Sequence, residues 1–237
     1  MDGFRERLDS IRSRLVTAAR RAGRSPDSIR LVAVTKTVPV EAIRQAMQAG
    51  VTLFGENRVQ EARAKAPETG PGAEWHLVGH LQRNKAKEAV RLFRMIHTVD
   101  SAELLADLDR HAQGREAPLE VLIQANLARE PGKHGAMEEE VASILSAAAG
   151  MRRLRVAGLM ILPPYDPSPE NSRRHFRALA ELAGRIRREG PPSVEMRELS
   201  MGMSEDFEVA VEEGATLIRI GRALFGERAG RIGKEKE

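Results

Sequence analysis

Cysteine is absent from the 237 residues, so no disulfide frames the fold and no thiolate serves as nucleophile or metal ligand. That absence fits a reducing compartment, and a cytoplasmic protein is expected. Aromatic residues make up 3% of the chain, with one Trp and one Tyr, too few to build a surface that stacks bases. Charge of one sign is also lacking. Thirty-eight basic residues face 34 acidic ones for a net +4, and the arginines are spread along the chain, so nucleic acid is not an expected partner. A weakly basic patch suits an anionic small molecule better. Long apolar runs are missing as well: the longest, Val156 to Leu162, is a strand's length, against the roughly 20 residues a membrane span needs. The N-terminus follows the same pattern. Phe4, Leu8, Ile11 and Leu15 fall at helical spacing among arginines, with Gly23 as a stop. Asp2, Glu6 and Asp9 argue against a transit peptide, and no apolar core is present for a signal peptide. This segment reads as a helix packed on the domain.

What is present is a steady alternation. Apolar, β-branched runs that read as strands are Ile29–Lys36, Val51–Asn57, Glu74–His80, Met95–Asp100, Leu119–Asn126, Leu154–Leu162, Glu195–Gly202 and Thr216–Gly221. Helical stretches lie between them, for example Pro39–Ala49, Ala102–Gln113 and Met137–Ala149, punctuated by Pro39, Gly50, Gly150 and Gly190. Eight βα units in a chain of this size point to a single (β/α)8 TIM barrel. A doubly wound open sheet would carry a Gly-rich turn after its first strand, where Thr35-Lys36-Thr37-Val38-Pro39 stands instead. One domain over residues 1–226 is expected, with the Lys-, Arg-, Glu- and Gly-rich tail 227–237 disordered.

In such a barrel the chemistry sits at the C-terminal ends of the strands, and the unusual residues gather there. The first strand, Leu31-Val-Ala-Val-Thr, ends by delivering Lys36. Desolvation at that position favours a neutral, nucleophilic amine, as a Schiff base to an aldehyde cofactor requires, although a lysine can also mark a strand end and reach to water. The second strand ends in Glu56-Asn57-Arg58, the seventh in Ser200-Met-Gly202-Met-Ser204, and the eighth in Arg219-Ile-Gly221. Loops after strands seven and eight often form phosphate sites. Ser204, ahead of Glu205-Asp206-Phe207, is positioned to cap a helix whose amides could bind an anion, or to cap it and no more. Gly202 and Gly221 would allow close backbone approach. Arg219, flanked by Leu217, Ile218 and Ile220, needs an acceptor: a structural salt bridge, or a ring nitrogen of a bound cofactor.

Other chemistries find little support. The histidines at 76, 80, 97, 111, 134 and 175 show no metal-site spacing, and a zinc cage without Cys is not expected. Asp100-Ser101 resembles a helix cap more than a general base, and Tyr165 sits in a Pro-rich loop, weakly placed for catalysis.

Taken together, Val34-Thr-Lys36-Thr, Phe54-Gly-Glu-Asn-Arg-Val-Gln-Glu61, Trp75-His-Leu-Val-Gly-His-Leu-Gln-Arg-Asn-Lys85, Ile96-His-Thr-Val-Asp-Ser101, Gly158-Leu-Met160, Leu199-Ser-Met-Gly-Met-Ser-Glu-Asp-Phe207 and Ile218-Arg-Ile-Gly221 resemble the pyridoxal 5′-phosphate homeostasis protein family. They run in order from the first strand to near Gly226. The resemblance implies a barrel like the cofactor domain of alanine racemase, with pyridoxal 5′-phosphate held as an aldimine on Lys36. It further implies that Asn57 flanks the cofactor, that Ser200 belongs to the cofactor-binding set, that Ser204 and the backbone near Gly221 hold the phosphate, and that Arg219 faces the pyridine nitrogen. A guanidinium does not surrender its proton, so the ring would be a poor electron sink.

The function so implied is cofactor buffering or delivery without robust catalysis, with PLP-dependent apo-enzymes as partners and a monomer as the expected state. The alternative is a PLP-dependent amino-acid racemase. Racemisation needs two bases, and in alanine racemase the second is a tyrosine and an additional β domain is present. Here eleven residues follow Gly226, and the position four after Lys36, a tyrosine in that enzyme, is Val40. A Schiff-base aldolase, or an enzyme for phosphorylated substrates, would explain Lys36 and the phosphate loop but not Arg219.

Overall fold

The computed structural model describes residues 2–191 and 194–226. Eight parallel strands close on themselves in sequence order: β1 (Arg30–Val34), β2 (Leu53–Glu56), β3 (Glu74–Leu77), β4 (Met95–Val99), β5 (Leu119–Ala125), β6 (Leu154–Ile161), β7 (Glu198–Ser200) and β8 (Leu217–Ile220). Closure runs through β1 and β8, with Arg30 opposite Leu217 and Ala33 opposite Ile220. This excludes the open sheet and establishes the expected barrel. All eight expected strands exist, each shorter than its apolar run. Strand seven, expected over Glu195–Gly202, pairs only at Glu198–Ser200, because residues beyond a ladder's end turn away to make loops. The expected disordered tail 227–237 lies outside the described residues.

Helices α2 (Val40–Gln48), α3 (Val59–Thr69), α4 (Ala86–Leu92), α5 (Ala102–His111), α6 (Glu138–Ala148), α7 (Arg173–Glu189), α8 (Phe207–Glu212) and α9 (Arg222–Phe225) follow strands one to eight in turn. The main apolar core lies between strands and helices, where Ile43, Phe54, Ile96, Leu108, Leu159, Phe176 and Ile218 are buried. A second, smaller cluster fills the barrel interior: Val32, Leu53, Val78, Met95, Leu122, Ala157, Met160 and Leu217. Strand residues alternate between these two layers with a period of two, which explains how a charged residue fits an apolar strand. On β8, Leu217 lies in the interior cluster, Ile218 and Ile220 lie in the outer core, and Arg219 shares the interior parity.

The N-terminal segment forms α1 (Asp2–Arg21), packed on the barrel as expected. Arg14 bonds both carboxylate oxygens of Glu208, at 3.1 and 2.7 Å, and lies 4.7 Å above the Phe207 ring. Arg7 Nε donates to Leu224 O at 2.8 Å, so α1 fastens to α8 and α9 beside the closing β8–β1 seam.

Candidate functional site

The loops beyond the C-terminal strand ends enclose a cavity of about 560 Å³ whose lining includes Lys36, Asn57, His80, Tyr165, Met203 and Arg219. Of the six residues anticipated from sequence, Lys36, Asn57 and Arg219 thus share one wall system. Ser200 is fully buried and contacts the cavity through Arg219. Ser204 stands between the lining residues Met203 and Glu205, and Gly221 is two residues past Arg219.

Lys36 sits two residues beyond the end of β1, and its neighbours are clamped from the strand-two side. Lys65 Nζ donates to Thr35 O at 2.8 Å, to Glu56 Oε1 at 2.7 Å and to Glu61 Oε2 at 3.0 Å. Thr35 Oγ1 also donates to Glu56 Oε1 at 2.7 Å, and the Thr37 amide donates to Glu61 Oε2 at 3.0 Å. The backbone on both sides of Lys36 is therefore pinned to one ion-pair network, which holds Thr37 at φ 63°, a left-handed conformation unfavourable for a β-branched residue. Burial pushes the Glu56 carboxyl up, against the opposing bonds from Lys65 and Thr35. This clamp was not among the residues anticipated from sequence. Its available signals were a glutamate inside an apolar strand and the i, i+4 pair Glu61–Lys65.

Asn57 is set by a close backbone crossing: a Cβ on Gly79 would come within 2.3 Å of Asn57 O, so only glycine lets the ends of β2 and β3 meet there. Arg219 finds its acceptors inside the barrel rather than in a salt bridge. Nη1 donates to Ser200 Oγ at 2.6 Å and Nη2 to Ile161 O at 2.9 Å. Burial pulls its pKa down to about 10, with Asp206 opposing, so it remains a cation at neutral pH.

One expectation needs correction. Ser204 does not cap the helix that follows it; α8 starts after Asp206, and Ser204 Oγ accepts from the Ala223 amide at 3.2 Å, tying the β7 loop to the first turn after β8. The loop bends back where Asp206 Oδ1 accepts from the Met203 amide at 2.7 Å, and the Asp206 side chain makes no cap bond to α8. Gly202 is required by the fold, since at φ 89° its Cβ would lie 2.6 Å from Ala210 Cβ. Gly221 differs, since an added Cβ would meet protein only at 3.5 Å or beyond. Ser101, expected as a cap, does cap α5, accepting from the Leu104 amide at 3.3 Å.

The histidines are also closer than their spacing suggests. His80, Asp100 and His134 bring ligand atoms within 4.8 Å of one another. However, the two rings stack at 3.6 Å with planes 7° apart, and in-plane lone pairs of parallel rings do not converge on one ion. Deeper in the barrel, His76 Nδ1 and His97 Nε2 lie 2.9 Å apart, and His97 Nδ1 lies 2.8 Å from Ser200 Oγ. Burial is the largest cause holding both below 6.5; at His97 a proton on His76 would oppose a second one and the Arg219 charge adds to this, while Glu74 opposes the lowering at His76. Below that pH the unfolded chain binds protons that the native state refuses. The stability from neutral histidines is thus full above pH 6.5 and is lost as pH falls toward the lowered native values, by up to about 1.4 kcal/mol per pH unit for each. Urea titrations of wild type and His97→Asn between about pH 5 and 7 measure this, the wild type losing more; parallel pH profiles would contradict it.

The profile of the family "Alanine racemase, N-terminal domain" matches residues 7–229. A pyridoxal phosphate homeostasis protein of Aquifex aeolicus is 40% identical over 94% of this chain and 97% of that protein. The protein of the same description from Escherichia coli K12 is 39% identical over 96% and 98%. Among solved structures, PipY of Synechococcus elongatus PCC7942 with PLP bound superposes with TM-score 0.83 at 38% identity, covering 94% of this chain and all of that one. Alanine racemase from Corynebacterium glutamicum shares the fold, at TM-score 0.64 and 18% identity over 96% of this chain and 63% of the enzyme.

Proposed function

The chain belongs to the pyridoxal phosphate homeostasis proteins, built on the alanine racemase N-terminal domain, and from that membership we propose that it binds pyridoxal 5′-phosphate in the barrel-mouth cavity and buffers or delivers it inside the cell. The observation that carries the assignment is Arg219: a buried cation, aimed by two hydrogen bonds, in the wall of the same cavity as a clamped lysine. The residues fit the cofactor. About 560 Å³ lies in the range of small-molecule sites. Lys36 Nζ would condense with the aldehyde, releasing water, to give a Schiff base. Asn57 would flank the ring, and Ser204 with the backbone at Gly221 would hold the phosphate, where the missing Cβ leaves room.

When bound, the cofactor supplies an aldehyde and an electron-withdrawing ring. Arg219 restrains the second of these. Facing the ring nitrogen, a guanidinium donates a hydrogen bond but does not hand over a proton, so the nitrogen stays unprotonated and carbanions beside the ring gain little stabilisation. The site therefore suits holding the cofactor better than driving it. Delivery to apo-enzymes and a monomeric state complete the reading.

The test is the visible spectrum of the purified protein before and after borohydride reduction, with mass mapping of the modified peptide. A yellow protein reduced irreversibly at Lys36 supports the reading; a colourless protein that takes up no added pyridoxal phosphate overturns it. The racemase reading rests on the shared family and on Tyr165, the phenol lining the cavity, which is 83% exposed. Wild-type protein is expected not to racemise alanine. Arg219→Gln is expected to weaken cofactor retention about 10- to 100-fold and shift the absorption band, again without racemisation. Robust alanine racemisation by the wild type would reverse the choice.

A further inference from the structure

His76 and His97 are 0% exposed, and neither lines the cavity. They lie in the middle of a continuous hydrogen-bond chain that crosses the barrel from one mouth to the other. Arg219 Nη1 meets Ser200 Oγ at 2.6 Å, Ser200 Oγ meets His97 Nδ1 at 2.8 Å, His97 Nε2 meets His76 Nδ1 at 2.9 Å, and His76 Nε2 meets Glu74 Oε1 at 2.9 Å. Glu74 opens β3 at the mouth opposite the cavity, and its side chain is 45% exposed. The chain joins β8, β7, β4 and β3, two pairs that are not neighbours in the sheet, so it runs through the interior.

Its proton order is set at the Glu74 end, and the Arg219 end is compatible with it. A guanidinium donates only, so Ser200 Oγ accepts from Arg219, which leaves the hydroxyl proton available to His97 Nδ1. That nitrogen is then bare, and the His97 proton sits on Nε2 and is donated to His76 Nδ1. The His76 proton consequently sits on Nε2 and is donated to Glu74. Read from the other end, an ionised carboxylate accepts only and demands the same order. The reverse order would set a bare nitrogen against the Glu74 carboxylate. An extra proton would put a cation between Arg219 and Arg30, which both act on His97, and leave the Ser200 hydroxyl proton without its acceptor. Around His76 the charges are Glu74, Arg30 and Glu120.

We propose that His97 and His76 are positioning residues which, by fixing the Ser200 hydroxyl, lock the Arg219 guanidinium against the cofactor's ring nitrogen, with Glu74 at the far mouth setting the direction of the chain. The proposal rests on the cofactor assignment above for what Arg219 faces, while the proton order stands without it. No proton moves along the chain. Its task is to keep Ser200 an acceptor toward Arg219, so that the guanidinium does not swing away when the cavity empties or fills.

Imidazole ¹⁵N shifts of the full chain, with and without pyridoxal phosphate, read the order directly. Both histidines are expected neutral with the proton on Nε2 from about pH 6 to 8; a cation, or an Nδ1 proton on either ring, overturns the proposal. The role is read by two substitutions. His97→Asn places an amide oxygen near the former Nδ1 and is expected to keep the wild-type cofactor spectrum. His97→Leu removes the acceptor and is expected to weaken retention about tenfold, with a displaced absorption band. Wild-type affinity and spectrum in a folded His97→Leu protein overturn the proposal, and should that variant not fold, Ser200→Ala against Ser200→Thr applies the same comparison at the next link. If the wild type itself takes up no pyridoxal phosphate, the cofactor reading is what fails, and the nitrogen shifts still judge the proton order.

Discussion

A Lys36→Ala protein is expected to melt within about 2 °C of the wild type and to carry no borohydride-reducible pyridoxal phosphate at all. The two halves of that result come from different physics. Lys36 is half-buried at a cavity wall, two residues past β1, so removing its side chain opens no hole in a packed core. Large destabilisation needs a cavity in the packed core, and truncating a half-buried side chain at a cavity wall opens none. Covalent retention, by contrast, depends on a primary amine that alanine lacks. Residual binding through Asn57, Ser204, Gly221 and Arg219 would be reversible and would wash out on gel filtration. Absorbance after desalting, peptide mass mapping and a thermal melt make up the measurement. A modified peptide elsewhere after reduction would move the Schiff-base lysine, and an unfolded variant would show that Lys36 carries structure rather than chemistry.

Lys65→Met is expected to cost about 3 kcal/mol, or roughly 6–12 °C in Tm for a domain of this size, and to slow cofactor capture as well. Glu56 is 0% exposed, and Lys65 is its cationic partner at 2.7 Å. Methionine keeps much of the volume but leaves a buried carboxylate to the Thr35 hydroxyl and the Asn57 amide. Protonation of Glu56, already favoured by burial, caps the loss. The same change releases Thr35 O and relaxes the hold on Glu61, which fixes the Thr37 amide, so the turn carrying Lys36 loosens. Adding Glu56→Gln removes the orphaned charge and is expected to recover at least half of the stability without restoring capture rate. A single variant that melts within about 2 °C of the wild type would show that the pair contributes little, and recovery of both properties in the double variant would separate the clamp from the lysine's placement.

The barrel was legible in sequence because strands buried on both faces read as apolar runs, and eight such runs separated by helical stretches admit few architectures. Lys36 and Arg219 were legible for the same reason: a cation at the end of, or within, a run such as Leu31–Val34 or Leu217–Ile220 stands out against its background. Strand ends were less legible, since Glu195–Arg197 continue the pattern of β7 without joining its ladder. Partners were not legible at all. His97 meets Ser200 across 103 residues and Arg219 meets Ile161 across 58, pairings created when the sheet closes and its register brings inward-facing positions to one height. The same holds for the stacked His80 and His134, and for Ser204, whose hydroxyl serves the turn after β8 instead of its own helix. Local sequence sets each residue's conformation and which face of its strand it occupies, because those depend on near neighbours. Barrel closure decides which residues meet, because that depends on strand order and register, and it is the meeting of Lys36, Arg219 and their supports that makes a site.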